Sequence, residues 1–260
     1  MGLENVMRVL SAMTMACLLA MPASAAFAVT VTYENPGVQN AASTLFDFLG
    51  VETFENAPTG SGLTYDTTFG GSQIAGVYTN LRVDNQNQFG SAGGVGHHAV
   101  AAANDAGYEL VLSTSRPEGV NYFGYWLSAL DSGNVLEFYK ADSLIYTFNP
   151  AKVIAAIGGC TPQPQPYCGN PNDPAPRRNP TEQYAFVNIY FDGETFDKIR
   201  FYELPGVNGN YESDNHTVGY FLEKGGNAVP EPATWAMMIM GFGLVGIAAR
   251  RSSGMSRVGG

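Results

Sequence analysis

Cations are what this chain lacks most. Lysine and arginine number 13 in 260 residues against 23 aspartates and glutamates, and charged residues of all kinds reach only 14%. Nucleic-acid binding needs a basic footprint to hold the phosphates, so this composition argues against it. Histidine is scarcer still, with His97, His98 and His216 the three copies. No H-E-x-x-H and no G-x-S-x-G occurs, which removes the zinc-protease helix and the strained nucleophile turn. No glycine-rich phosphate loop stands between a strand and a helix, and no fixed-period repeat runs through the chain. Long uncharged runs occur at the two ends.

What is abundant is glycine, with 31 copies, and aromatic residues at 12%. That mixture fits an exported all-β domain better than a helical one. The first uncharged run, Val9 to Met21, is followed by small residues with two A-x-A sites, Ala23-Ser24-Ala25 and Ala26-Phe27-Ala28. This is the layout of a secretory signal peptide over residues 1–28, read by the general secretion machinery, with the cut left open among Ala25, Ala26 and Ala28. Cys17 lies inside the run, and Thr14 stands where a lipobox needs a Leu-like residue, so lipidation is not expected.

The second run closes the chain. Ala233 to Ala249 holds 17 residues without a charge, and at 1.5 Å each a helix of that length covers about 25 Å. That is within reach of a membrane span. Trp235 sits where an interfacial aromatic belongs, and Arg250 and Arg251 follow the run. The positive-inside rule orients such a helix with its C terminus in the cytoplasm. Ahead of it stands Pro230-Glu231-Pro232. Pro232 disfavours helical geometry at Glu231, so the three residues are expected to be extended and exposed at the membrane face.

V-P-E-P, the apolar "WAMMIMGFGLVG" and the arginine cluster together resemble the PEP-CTERM sorting signal over residues 229–251, within a tail segment of 229–260. The resemblance implies recognition by an exosortase, a membrane protease or transpeptidase of Gram-negative bacteria. "VETFENAPTG", "GVNYFGYWLSALDSGNVLEFY", "TFDKIRFYE" and "YESDNHTVG" also resemble a domain shared by a group of PEP-CTERM surface proteins. That second resemblance implies a surface protein of undefined biochemical role, and it assigns no active-site residues to this chain.

Without its end segments the chain keeps nine lysines and arginines against 21 aspartates and glutamates, a net −12. Such a surface stays soluble and repels anionic polymers. Residues 29–228 read as short strands at 29–33, 51–56, 73–78, 108–113, 121–130, 135–140, 144–148, 184–191, 198–204 and 216–223. The 121–130 segment is apolar on both faces, as a central strand is. Asp131 to Asn134 is expected to close a hairpin with 135–140, and Asp192-Gly193 to turn the chain. One short helix is expected over 151–157, capped by Asn149, with Pro150 at its first position and Gly158 as its stop. The fold class is all-β, a two-sheet β-sandwich or jelly roll with one short helix, flanked by a signal peptide and a transmembrane helix.

Few residues in this domain carry chemistry. Cys160 and Cys168 flank a Pro-rich loop and are expected to form a disulfide in an exported protein; metal binding by the two thiols is the alternative. His97 and His98 point to opposite faces if extended. Glu137 alternates with Leu136 and Phe138 and is expected to face solvent. Sandwiches of this kind often hold a structural calcium near their first and last strands. Glu52, Glu55 and Asn56 with Glu212, Asp214 and Asn215 supply hard oxygens for Ca²⁺, with Glu55 and Asp214 the chosen pair; solvated turns are the plainer reading. The expectation is an exported, non-catalytic surface or extracellular-matrix protein. A carbohydrate-binding module that meets an extracellular polysaccharide is the alternative, and an extracellular glycoside hydrolase comes third.

Overall fold

The computed structural model describes residues 27–103, 106–170, 179–207 and 209–229. Within them the chain forms the strands β1 (Ala28–Tyr33), β2 (Phe46–Glu52), β3 (Gly60–Thr67), β4 (Ile74–Asn85), β5 (His97–Ala102), β6 (Tyr108–Thr114) and β7 (Tyr122–Leu127). Then come β8 (Asn134–Lys140), β9 (Ser143–Phe148), the helix α1 (Ala151–Ile157), β10 (Ala185–Asp192), β11 (Lys198–Glu203), β12 (Asn210–Phe221) and the short β13 (Asn227–Ala228). The all-β expectation holds. The strands do not separate into two hydrogen-bonded sheets, however. All 13 belong to one curled sheet, in the order β13-β1-β10-β7-β12-β5-β4-β6-β11-β8-β9, with β2 added to β12 and β3 to β4.

Two long strands make this continuity. β12 pairs with β5 through Asn210 to Ser213 and with β2 through His216 to Phe221. β4 pairs with β6 through Ile74 to Thr79 and with β5 through Arg82 to Asn85. Each strand changes partner beside an asparagine at positive φ, Asn215 at 49° and Asn80 at 56°. Asparagine adopts that region more readily than most residues, and a bent or bulged strand can pass from one layer to the next. The register of β12 on β7 also shifts between Asp214 and Thr217.

β7 lies between β10 and β12 and is buried along its whole length. Phe123, Tyr125 and Leu127 face the main core with Phe138, Ile199 and Phe201. Tyr122 and Trp126 face a smaller cluster with Phe46, Tyr184 and Tyr190.

Three expectations need correction. Asp131 to Asn134 does turn, with the Asn134 N–H donating to the Asp131 carbonyl at 3.1 Å. It closes no hairpin, because β7 pairs with β10 and β12 while β8 pairs with β11 and β9. The segment expected as a strand over 51–56 ends at Glu52, since Phe54 turns the backbone at φ 58°. Gly60–Thr67 and His97–Ala102, absent from the expected strands, are strands. The helix occupies 151–157 as expected, with Pro150 immediately before it and the Asn149 side chain accepting the Ala151 N–H at 2.9 Å.

Candidate functional site

The domain is joined to its tail at β13. This strand covers only Thr32 and Tyr33 of β1, and the Val229 N–H then donates to the Val31 carbonyl at 3.4 Å. The first residue of the sorting motif follows directly. At the other end of β1, Phe27 stacks on Phe191 at 6.3 Å between ring centroids. The segment that follows residue 27 and the segment that leads to Pro230 therefore run on neighbouring strands. Residues 1–26 of the expected signal peptide lie outside the described residues, as do Pro230, Glu231, Pro232, Trp235, Arg250, Arg251 and the apolar run. Among the described residues no helix is long and apolar enough to cross a membrane.

A cavity of about 640 Å³ opens where the two ends of the curled sheet meet. β1 and β13 form one wall, and β9 and α1 the other. Val29, Val31, Tyr146, Phe148 and Val153 make it largely apolar, and among the described residues Lys152 is the one charged side chain in its lining. Val153 is buried and anchors α1 to the core, while Lys152 is exposed on the first turn of the helix.

The histidines have two environments. His216 is fully buried; its Nδ1 lies 3.0 Å from the Tyr78 hydroxyl and its Nε2 lies 3.0 Å from the Ser213 hydroxyl. Phe201 stacks on its ring at 4.9 Å. Burial lowers its pKa to about 3. His98 is also buried, with Nδ1 2.9 Å from the Ser91 hydroxyl, and burial lowers its pKa to about 4. Both rings are neutral at neutral pH. Each Ser–His contact is closed to solvent, so these serines meet no substrate in this conformation. His97 is half-buried on the opposite face of β5 from His98.

The carboxylates of the expected calcium pair hold a loop. Asp214 accepts the Ala92 and Asn215 N–H groups, both at 2.7 Å. Glu55 accepts the His97 N–H at 3.1 Å. The two thus fasten opposite ends of the 91–97 segment. Burial raises the Asp214 carboxyl to about 8, and nearby Glu55 and Glu52 push in the same direction. Glu52 is buried and satisfied by the Phe54 N–H at 2.6 Å and by the Thr67 hydroxyl. Burial also lifts Glu212, to about 7. Among the described residues no group of three or more His, Cys, Asp or Glu gathers as a metal site.

Glu137 lies on the outer face of β8. It accepts the Tyr139 hydroxyl at 2.6 Å and the Tyr202 hydroxyl at 3.1 Å. Lys198 sits 4.8 Å from the Tyr139 ring centroid, and Arg200 4.6 Å from that of Tyr202. Sequence reasoning placed Glu137 outside but missed this tyrosine pair, which becomes visible only through the β8–β11 register. Cys160 and Cys168 are disulfide-bonded, with Cα atoms 5.7 Å apart. The loop they close is tied down at its end by Asn170, which is buried and donates to the Ser91 carbonyl at 3.0 Å.

Comparison with known families matches residues 228–252 to the PEP-CTERM protein-sorting motif. The match begins inside β13 and takes in the whole P-E-P segment, the apolar run and both arginines. Comparisons with curated proteins and with solved structures find no match.

Proposed function

Taking as premise that the chain carries a PEP-CTERM protein-sorting motif at residues 228–252, we propose that residues 29–228 are the extracellular cargo of an exosortase. The motif marks an exported, membrane-anchored precursor sorted to the cell surface, with an exosortase as its processing partner. In our reading the signal peptide delivers the chain through the general secretion machinery. The tail helix, with Trp235 outside and Arg250 and Arg251 inside, then holds it. Processing at Pro230-Glu231-Pro232 releases the domain to the surface or extracellular matrix. The curled sheet serves there as a sandwich whose layers are joined by β4 and β12.

The observation that carries this reading is the place of the motif. The last strand, β13, ends at Ala228, and the P-E-P segment within the motif starts two residues later. The last described strand thus leads directly into the segment that the processing enzyme would read. A non-catalytic role is supported by the sealed environments of His98 and His216 and by the use of Glu137 as an acceptor for its own neighbours. The test is Glu231→Ala, followed by fractionation. A membrane-bound precursor of higher mass is expected; equal processing of variant and wild type would remove the main support.

A second reading is a carbohydrate-binding module that meets an extracellular polysaccharide. The outward Tyr139 and Tyr202, set beside Glu137 and Arg200, favour it, since flat rings flanked by polar groups suit sugars. A glycan array separates the two, with silence favouring a structural role. A catalytic carboxylate pair, as in a glycoside hydrolase, would need a second acid across a cleft from Glu137.

A further inference from the structure

The curled sheet does not close on itself. Its path runs from β13 and β1 at one end to β9 at the other, and among the described residues no ladder joins those ends. α1 stands beside β9 and fills the gap only in part, which leaves the cavity of about 640 Å³. Small-molecule pockets span about 300–1,000 Å³, so the cavity has the size of a ligand site.

Strand alternation explains its lining. On β1 Val29 and Val31 alternate with threonines, and on β9 Tyr146 and Phe148 flank Thr147. Successive side chains point to opposite faces of a sheet, and these four apolar residues belong to the main core or pack against it. Burial is graded from floor to rim. Phe148 and Val153 are buried, Val29, Val31 and Tyr146 are half-buried, and Lys152 is exposed. An apolar floor thus lies under a cationic rim.

Lys152 makes no ion pair with a described residue. Lys224, by contrast, donates to the Thr30 hydroxyl at 3.1 Å and is paired with Asp192 at 2.5 Å. No carboxylate of the described residues lines the cavity. A lone ammonium above an apolar floor complements one anionic head on one apolar chain. A sugar would fit poorly, because hydroxyls held against valine and phenylalanine lose their water without gaining partners.

We propose that this cavity binds a single-chain amphiphile with a carboxylate head. The chain lies on Phe148 and Val153, and the carboxylate meets Lys152 at the rim. This binding goes beyond the sorting role proposed above and does not depend on it.

The probe is dodecanoate, added below its micellar concentration to the exported protein in detergent-free buffer, with valine methyl NMR shifts as the readout. The methyls of Val29, Val31 and Val153 are expected to shift saturably, with one ligand per chain. Butanoate, with the same head and a short chain, binds at least a hundredfold more weakly. Dodecyltrimethylammonium, with the same chain and the opposite head, binds at least fivefold more weakly than dodecanoate, and Lys152→Glu reverses that order. Lys152→Glu changes an exposed position and leaves the core intact. Val29→Phe, at a half-buried position, narrows the cavity and lowers dodecanoate affinity at least tenfold while the amide shifts of β7 stay in place. Absence of a saturable shift at these valines in the wild type overturns the proposal. Dodecanoate affinity that neither variant changes also overturns it. Valine shifts that grow with protein concentration without dodecanoate overturn it as well, because a second copy then fills the cavity.

Discussion

Four buried titratable groups make stability depend on pH in a direction unusual for an acidic protein. Asp214 and Glu212 have folded pKa values raised to about 8 and about 7, against unfolded values of about 3.9 and 4.3. A raised folded pKa gives stability that is complete below the unfolded value and is lost as pH climbs through the folded one. His98 and His216 are lowered to about 4 and about 3, from about 6.5 unfolded. Their contribution is present above the unfolded value and is lost as pH falls toward the folded ones. Between about pH 4.5 and 6.5 the two pairs oppose each other.

Above pH 6.5 the carboxyls prevail. At about 1.4 kcal/mol per proton and pH unit, raising pH from 6.5 to 9 costs roughly 2 kcal/mol through Asp214 and 0.8 through Glu212. The histidines, half-protonated in the unfolded chain at 6.5, return roughly 0.8. Unfolding free energy should therefore fall by about 2 kcal/mol over this range. Asp214→Asn should lower stability at every pH yet leave the profile nearly flat from 6.5 to 9. The assay is urea unfolding followed by tryptophan fluorescence, with the slope against pH as the readout. A wild-type stability that is constant or rising from 6.5 to 9, or a variant with an unchanged slope, refutes the buried, protonated state of Asp214.

Other predictions address the ends, the crosslink and the bends. The signal peptide should be cut after Ala25, so that Phe27 keeps its stacking on Phe191; N-terminal sequencing of the mature protein should begin at Ala26, and a start at Val29 would contradict this. Alkylation of the unreduced exported protein should find no free thiol at Cys160 or Cys168, and Cys160→Ser should destabilise by about 2–3 kcal/mol, the closure entropy of so short a loop. Asn80 donates to the Gly107 carbonyl at 2.7 Å, a bond that both Asn80→Gly and Asn80→Ala lose. Only alanine adds the strain of positive φ, so it should be less stable than glycine by about 1–2 kcal/mol.

Much of the secondary structure was legible from local pattern, and much of its pairing was not. The 121–130 segment shows large apolar residues at both parities, and β7 is correspondingly buried on both faces. Pro150 and Gly158 bracket α1. β3 carries two glycines and polar residues on a largely exposed strand, so no alternation marked it. β5 shows no strand signal in sequence because two histidines and three alanines have weak strand preference, and packing against β4 and β12 makes it a strand. The turn at 131–134 has the local chemistry of a hairpin, but partners are chosen by the core. Phe123 and Phe138 meet there through side chains, not along a shared ladder. Asn80 and Asn215 look like ordinary loop residues until the long strands around them are seen to change partners. At the tail the motif was plain in the sequence.

The central claim is that the domain is exosortase cargo cut at its P-E-P segment, and the most direct measurement is the mass of the C-terminal peptide of the protein recovered from the cell surface. The account predicts a C terminus within or beside Pro230–Pro232 and no peptide from Trp235 to Gly260. Surface protein that retains its chain through Gly260 would contradict it.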